Sequence, residues 1–317
     1  MNLPVFLHYF SAALAMMLGV VGGGLAQGIA GLSTLEAMER QPTGGDSLFK
    51  SLIIGLALIE SGLIIALVMS LMVLFSVQEP TMASALCELG MGLAIGTAAA
   101  SISIASSFVV RAATFAISRQ PFFAQKIITI MLLTQSIIEA PVIFAFIVSL
   151  LIKMNISPSM TVYESLRYFA AALAVALGSI GPSIGQGIFA NAACSSIGLN
   201  KRAYEKVFPF TLVTQAVIET PMIFSMLVSL LIIYSHIILL DFSQGIILIT
   251  AAATIGFGAL GSAAGIGFAA SKSCYQIASE PANYGPIFRA TLLVLAFIES
   301  MVIYALIIAM LLIKQAS

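Results

Sequence analysis

Long apolar stretches separated by short polar turns run along the whole chain. The stretch 127–152 covers about 26 residues, or roughly 39 Å as an α-helix, which exceeds the roughly 30 Å of a bilayer's hydrocarbon core. Comparable stretches are 51–75, 207–233 and 290–313, and a further apolar stretch precedes each of the four, at 5–35, 84–117, 166–198 and 244–278. The pattern predicts an all-α membrane fold with eight transmembrane helices, paired as four tandem helical hairpins.

One glutamate lies near the middle of every second helix, in a stretch with no other charged residue. The four are Glu60, Glu139, Glu219 and Glu299, with gaps of 79, 80 and 80 residues. A carboxylate within the membrane is costly and by default indicates a functional site. The regular spacing predicts one site copied four times, in hairpin units at residues 1–80, 81–160, 161–240 and 241–317.

Composition and charge place these hairpins in a membrane with a defined orientation. The chain is 60% hydrophobic and 8% charged, against about 25% charged in soluble domains, and its net charge of zero indicates no nucleic acid partner. Most lysines and arginines lie in or beside the turns within the hairpins, including Arg40, Lys50, Arg119, Lys126, Lys201, Arg202 and Lys206. By the positive-inside rule, these turns are expected to face the cytoplasm, with both termini on the opposite side.

Small residues recur in aligned columns of the first helices. The first hairpin has Gly22, Gly24, Ala26 and Gly28, and the equivalent residues in the other three hairpins are also Gly, Ala or Ser. Small side chains let helix backbones approach closely in membranes. The columns predict that the four first helices pack side by side, as in the inner circle of a ring. Ordinary helix contacts within a monomeric bundle remain the alternative.

Two of the hairpin turns share a short motif at a fixed distance from the glutamate. Arg40-Gln41-Pro42 and Arg119-Gln120-Pro121 each begin 20 residues before it, whereas the third and fourth turns have different sequences. The small-residue helix, this turn and the carboxylate contexts IESGLII, IEAPVIF, IETPMIF and IESMVIY together resemble the c subunit (proteolipid) of rotary ATP synthases, repeated four times. The resemblance covers almost the whole chain.

The resemblance implies a ring of hairpins that turns against a stator in the membrane, with first helices inside and second helices outside. It also implies a stator a subunit with an essential arginine, and central stalk subunits that contact the two Arg-Gln-Pro turns. Because the hairpins are fused, a closed ring holds a multiple of four of them, and we expect a homo-oligomer of three copies with twelve hairpins. Nucleotide chemistry would then belong to partner subunits, so the chain itself is expected to be non-catalytic and to need no cofactor.

The transported ion is expected to be a proton, with sodium as the alternative. A glutamate facing lipid must be neutral, so it carries either a proton or a bound cation. In sodium-carrying relatives the site joins a first-helix glutamine, the glutamate and a neighbouring hydroxyl. Candidates for the first and last of these are Gln27, Gln186, Ser61, Thr220 and Ser300.

Which sites have a complete set of sodium ligands depends on whether the hydroxyl group comes from the following or the preceding hairpin. Borrowing from the following hairpin completes only Gln186, Glu219 and Ser300, whereas borrowing from the preceding one completes only Gln27 and Glu60, with Ser300 from another copy. A proton needs only the carboxyl group and a hydrogen-bond partner, so protons could load all four sites.

Two further glutamines precede a glutamate by one helical turn. Gln135 and Gln215 are candidates to hydrogen-bond the carboxyl groups of Glu139 and Glu219, or to act as polar contacts between helices. Two other functions are weighed against the rotor. One is an ion-coupled secondary transporter, which usually has one or two central sites rather than four equivalent ones. The other is a proteolipid pore that assembles as a ring and never turns.

Overall fold

The computed structural model describes residues 2–76, 79–235 and 241–316. Within these ranges nearly every residue is helical and no strand occurs. The α-helices are α1 (Leu3–Arg40), α2 (Gly45–Leu74), α3 (Met82–Arg119), α4 (Ala124–Ile138), α5 (Ala140–Asn155), α6 (Val162–Leu199), α7 (Tyr204–Tyr234), α8 (Phe242–Ser279) and α9 (Tyr284–Ala316).

The predicted fold class is confirmed. Among the described residues, eight helical units are long and apolar enough to cross a membrane, with α4 and α5 together forming one of them. Each first helix has 38 residues and extends past its apolar stretch, because the polar ends continue the helical hydrogen bonds up to the turn. The proposed unit boundary at residue 240 lies outside the described residues.

The turns inside the four hairpins have a common construction. A short 3₁₀-helix joins each pair of helices, at Pro42–Gly44, Pro121–Phe123, Lys201–Ala203 and Pro281–Asn283. Proline begins three of them, because its fixed φ suits a helical first position where no backbone N–H is needed. The tight turns keep the two helices of each hairpin antiparallel and adjacent.

The helices form two rows. The first helices contact one another in succession, α1 with α3, α3 with α6, and α6 with α8. Each second helix except the last covers the gap between its own first helix and the next, so that α2 packs on α1 and α3, and α7 packs on α6 and α8. The last second helix, α9, packs mainly on α8. The chain therefore has one open edge at hairpin 1 and another at hairpin 4.

Close backbone approach in the first row depends on the small-residue columns. A Cβ added at Gly22 would lie 2.5 Å from the Cα of Ala100 in the next hairpin. One added at Gly187 would lie 2.9 Å from the Cα of Ala105 in the preceding hairpin. These separations leave no room for a side chain, so the columns hold the first helices together, as the sequence predicted.

A buried ionic cluster joins hairpins 1 and 2 at the end opposite the turns. His8 Nδ1 lies 2.7 Å from Glu88 Oε2, and Lys153 Nζ donates to Glu88 Oε1 at 3.1 Å and to Ser76 Oγ at 2.9 Å. Glu88 is only 2% exposed, and a buried carboxylate needs such partners. This cluster, which was not predicted from the sequence, fixes the position of α1 against α3.

We predict that Gly187→Ala destabilises the protein. The new methyl group forces α3 and α6 apart, and overpacking of this kind costs about 1–3 kcal/mol. The matched control is Gly285→Ala on α9, where no heavy atom lies within 4 Å of the added Cβ. Thermal unfolding of the detergent-purified protein should show a lower midpoint for Gly187→Ala only. Equal midpoints for both variants would contradict the close packing.

Candidate functional site

Each of the four glutamates lies within a second helix, at the level where that helix packs on the first row. Glu60 is in α2, Glu139 joins α4 to α5, Glu219 is in α7 and Glu299 is in α9. Glu60 is exposed, whereas the other three are partly buried. Glu60 differs because its hairpin forms an open edge of the described structure.

A hydroxyl group of the preceding hairpin reaches one of these carboxyl groups. Thr220 Oγ1 in hairpin 3 donates to Glu299 Oε1 in hairpin 4 at 2.7 Å. The equivalent Ser61 hydroxyl in hairpin 1 donates to the carbonyl of Leu58 in its own helix at 2.7 Å. Ala140 occupies the equivalent position before Glu219 and has no hydroxyl group. Of the two directions of sharing considered from the sequence, the contact of Thr220 with Glu299 has the direction from the preceding hairpin.

The remaining hydroxyl candidate, Ser300, lies in α9 at the open edge of hairpin 4. Its Oγ donates to the carbonyl of Phe297 in its own helix at 2.7 Å. Gln27, on the open edge of α1, is partly buried, in contrast to the fully buried Gln186. The two open edges therefore carry Gln27 and Glu60 on one side and Ser300 on the other.

Several buried polar groups in the same hairpins as Glu139 and Glu219 have no hydrogen-bond partner among the described residues. They belong to the middle two hairpins and are the amide groups of Gln135, Gln186 and Gln215, the hydroxyls of Ser106 and Thr214, and Glu139 Oε1. All three glutamines are 0% exposed. An unpaired buried polar group costs about 1–3 kcal/mol, so such groups normally bind water or an ion. This part of the membrane domain has polar atoms available for a small ligand.

Two backbone contacts place these groups at the depth of the carboxyl groups. A Cβ added at Gly185 would lie 3.0 Å from Cγ2 of Ile218. The helices α6 and α7 are therefore in contact at the two residues that directly precede Gln186 and Glu219. The contact of Gly187 with Ala105 brings Gln186 to the same level as Ser106 on α3. First-helix and second-helix polar groups thus share one layer.

The prolines after two of the glutamates alter the local helix. Pro141 and Pro221 lack a backbone N–H, which leaves the carbonyl four residues earlier without its helical donor. In α7 that carbonyl belongs to Val217, and it accepts a hydrogen bond from Thr220 Oγ1 at 2.9 Å. In hairpin 2 the regular helix is interrupted at Glu139, between α4 and α5. The Thr220 hydroxyl therefore lies between the Val217 carbonyl and the Glu299 carboxyl group.

The two Arg-Gln-Pro turns differ in their contacts. Arg40 pairs with Glu36 and lies 5.1 Å from the centre of the Phe115 ring, and Gln41 Nε2 donates to Thr43 Oγ1 at 2.9 Å within its own turn. Gln120 Nε2 instead donates to the carbonyl of Gly198 in the next hairpin at 3.3 Å. Pro42 and Pro121 begin the 3₁₀-helices that follow, and Arg40 and Arg119 are exposed.

Turns 2, 3 and 4 are joined by further contacts that were not predicted from the sequence. Asn200 Nδ2 donates to the carbonyl of Ala278 at 2.8 Å, which repeats the contact of Gln120 one hairpin later. Lys126 Nζ lies 4.8 Å from the centre of the Tyr204 ring, and Lys206 Nζ lies 5.5 Å from that of Tyr284. These contacts hold successive turns together.

Comparisons with known proteins agree with this repeated architecture. The family of ATP synthase c subunits matches the chain four times, at residues 10–73, 89–152, 169–232 and 249–312. The second ATP synthase c subunit of Pelobacter propionicus is 39% identical over 77 residues, which cover 24% of this chain and 85% of that protein. The ATP synthase c subunit of Geotalea uraniireducens is 41% identical over 66 residues, covering 21% of this chain and 72% of that protein.

We predict that Thr220→Val changes the reactivity of Glu299 and leaves Glu219 unchanged. Losing one hydrogen bond, worth about 1 kcal/mol, should speed modification of Glu299 by dicyclohexylcarbodiimide about fivefold. Mass spectrometry of labelled peptides gives the rate at each glutamate. A change confined to Glu219 in Thr220→Val would mean that the hydroxyl serves its own hairpin instead.

Proposed function

The chain belongs to the family of ATP synthase c subunits, and we propose that it is the rotor-ring subunit of a rotary ATP synthase or ATPase. The observation that carries this proposal is the fourfold family match together with one mid-membrane glutamate in each matched unit. Each glutamate carries one ion around the ring, and ion flow is thereby coupled to rotation. Synthesis or hydrolysis of ATP takes place in partner subunits, so this chain is non-catalytic.

Ring closure is supported by the two open edges of the chain. Gly181 lies against Leu260 in the following hairpin, and its equivalent at the far edge, Gly261, has no atom within 4 Å of an added Cβ. Gly187 lies against the preceding hairpin, and its equivalent at the near edge, Gly28, is equally open. The same small residues that pack closely inside the chain are therefore available at both edges. We propose that a second copy of the chain covers them, and that three copies, with twelve hairpins, close the ring.

Edge-to-edge assembly also completes the site at Glu60. Repetition of the Thr220–Glu299 contact across the edge places Ser300 of one copy beside Glu60 of the next. Gln27 of the same hairpin as Glu60 then adds an amide group. With this joint formed, all four glutamates lie between two hairpins, and the exposure of Glu60 in the single chain is removed.

We propose protons as the transported ion, with sodium as the second candidate. A carboxyl group at the outer surface of the ring faces lipid and has to be neutral while it moves. No lysine or arginine lies within two helical turns of any of the four glutamates, so a cation that ionises them has to come from another subunit. We assign that role to an arginine of the stator a subunit.

The orientation and partners follow from the turns. The concentration of lysine and arginine there supports a cytoplasmic location for the hairpin turns and an opposite location for both termini. We propose that Arg40, Gln41 and Pro42, with Arg119, Gln120 and Pro121, contact the central stalk subunits. The four units are proposed at 1–80, 81–160, 161–240 and 241–317. The surrounding bilayer covers the exposed apolar faces of α2 and α9.

The rotor function is tested by blocking a single carboxyl group. We expect dicyclohexylcarbodiimide to stop ATP-driven ion transport by the reconstituted complex once about one glutamate per ring is modified, because every site has to pass the same stator. Mass spectrometry of the ring measures the modified fraction. Transport that falls only in proportion to labelling would contradict a rotor and favour independent sites, as in a pore or a secondary transporter.

The proposed joint between copies is tested by cross-linking. Ser101 Oγ donates to Ser183 Oγ in the next hairpin at 3.1 Å, and the equivalent pair across the edge is Gly261 of one copy and Gly24 of the next. The double variant Gly24→Cys, Gly261→Cys should form disulfide-linked multimers on oxidation, and their largest closed size should be three chains. Gly24→Cys alone is the control, since it lacks the second thiol. Failure of the double variant to link separate chains would contradict the joint.

A further inference from the structure

The position one helical turn before each glutamate divides the four sites into two kinds. It holds glutamine in the middle hairpins, at Gln135 and Gln215, and leucine in the outer ones, at Leu56 and Leu295. Leu295 is buried at 1% exposure, so the outer position packs as an ordinary apolar residue. The two glutamines are fully buried in the same setting.

These glutamines do not act as polar contacts between helices. Neither amide group has a hydrogen-bond partner among the residues that the structure describes, although both are 0% exposed. In a helix, residues four apart share a face, and side chains lean toward the N-terminus, so Glu139 leans toward Gln135 and Glu219 toward Gln215. Each amide group is therefore on the same helix face as the carboxyl group that follows it, and no hydrogen bond joins the two.

The polar side chains at equivalent positions of the individual sites differ in number. The Glu139 site has an unpartnered Oε1 on the glutamate, the unpartnered hydroxyl of Ser106 and amide oxygen of Gln135, and Ser61 at the position equivalent to Thr220. The Glu219 site has the unpartnered amide oxygens of Gln186 and Gln215.

The site of Glu299 is poorer in oxygen. Its side-chain partner is the Thr220 hydroxyl, while the equivalent first-helix and second-helix positions hold Ile266 and Leu295, both buried. A hard metal cation needs several oxygen ligands, whereas a proton needs one carboxyl oxygen and a hydrogen-bond partner. The chain thus combines oxygen-rich and oxygen-poor sites.

We propose that Gln135 and Gln215 are specificity-determining residues, which allow the sites of Glu139 and Glu219 to bind sodium in exchange for a proton, while the site of Glu299 binds protons only. This inference rests on the proposed ion-carrying function. In the exchange, the carboxyl group releases its proton to water and the resulting carboxylate binds the metal ion, so the site stays neutral. The glutamines take the place of the ligands that each middle site lacks, glutamine at Ser106 and a hydroxyl at Ala140.

The test measures sodium protection at each glutamate separately. The purified ring is treated with dicyclohexylcarbodiimide at one pH in sodium chloride or in potassium chloride of equal concentration. We expect sodium to slow modification of Glu139 and Glu219 at least tenfold and to leave Glu299 unchanged. The protection should grow as the pH rises, because sodium competes with the proton for the carboxyl group.

A variant with an internal control separates a ligand from a packing residue. Gln135→Leu introduces the residue that hairpins 1 and 4 carry, and should abolish sodium protection of Glu139 while that of Glu219 persists in the same molecule. The reverse variant, Leu295→Gln with Ile266→Ser, supplies the polar set of hairpin 2 and should create protection at Glu299. Thermal unfolding of the ring identifies variants that only loosen its packing.

The outcomes distinguish this inference from the rotor proposal. Equal sodium protection of Glu139, Glu219 and Glu299, protection of none, or protection of Glu139 that survives Gln135→Leu would overturn the inference. In each of those cases, block of transport by a single modification would still support the rotor. Four glutamates that do not react, or whose modification leaves transport intact, would instead overturn the rotor proposal itself.

Discussion

The presence of one carboxyl group in the middle of the apolar second helix of each hairpin is the constraint on which the rest of this structure depends. A charged carboxylate is not stable in hydrocarbon, so each glutamate has to be neutralised by a proton, a bound cation or a passing positive group. The chain has no positive side chain at that depth. At the helix ends opposite the turns, His8 and Lys153 contact the buried Glu88. We propose that the glutamates in the second helices bind and release the transported ion.

The joint between neighbouring hairpins is where that ion would be held. The first helices approach so closely at Gly22 and Gly187 that no side chain separates their backbones. This close row lets a second helix lie over the gap and lets a hydroxyl such as Thr220 reach the carboxyl group of the next hairpin. Covalent fusion of four hairpins has a further consequence, because each joint can then change independently. One such difference is the residue four positions before each glutamate. It is glutamine before Glu139 and Glu219, and leucine before Glu60 and Glu299.

Features that repeat along the sequence could be predicted, and features that depend on the contact between hairpins could not. The alternation of apolar stretches and polar turns predicts the eight helices, and the equal spacing of the glutamates predicts that they lie at a common depth. The direction in which Thr220 reaches Glu299 depends on how one hairpin is placed against the next, and both directions fitted the sequence. The contact of His8 with Glu88 was missed because it joins residues 80 apart that have no counterparts in the other repeats. Gln120 belongs to a recognisable turn motif, yet its side chain also joins two hairpins.

The most direct test is an image, at side-chain resolution, of the ring within the assembled complex in a lipid membrane. The account predicts that Glu60, Glu139, Glu219 and Glu299 lie on the outer surface of a closed ring, neutral against lipid except where one of them meets a fixed arginine of a neighbouring subunit. Glutamates enclosed in the interior of the assembly, with no arginine within reach, would contradict it.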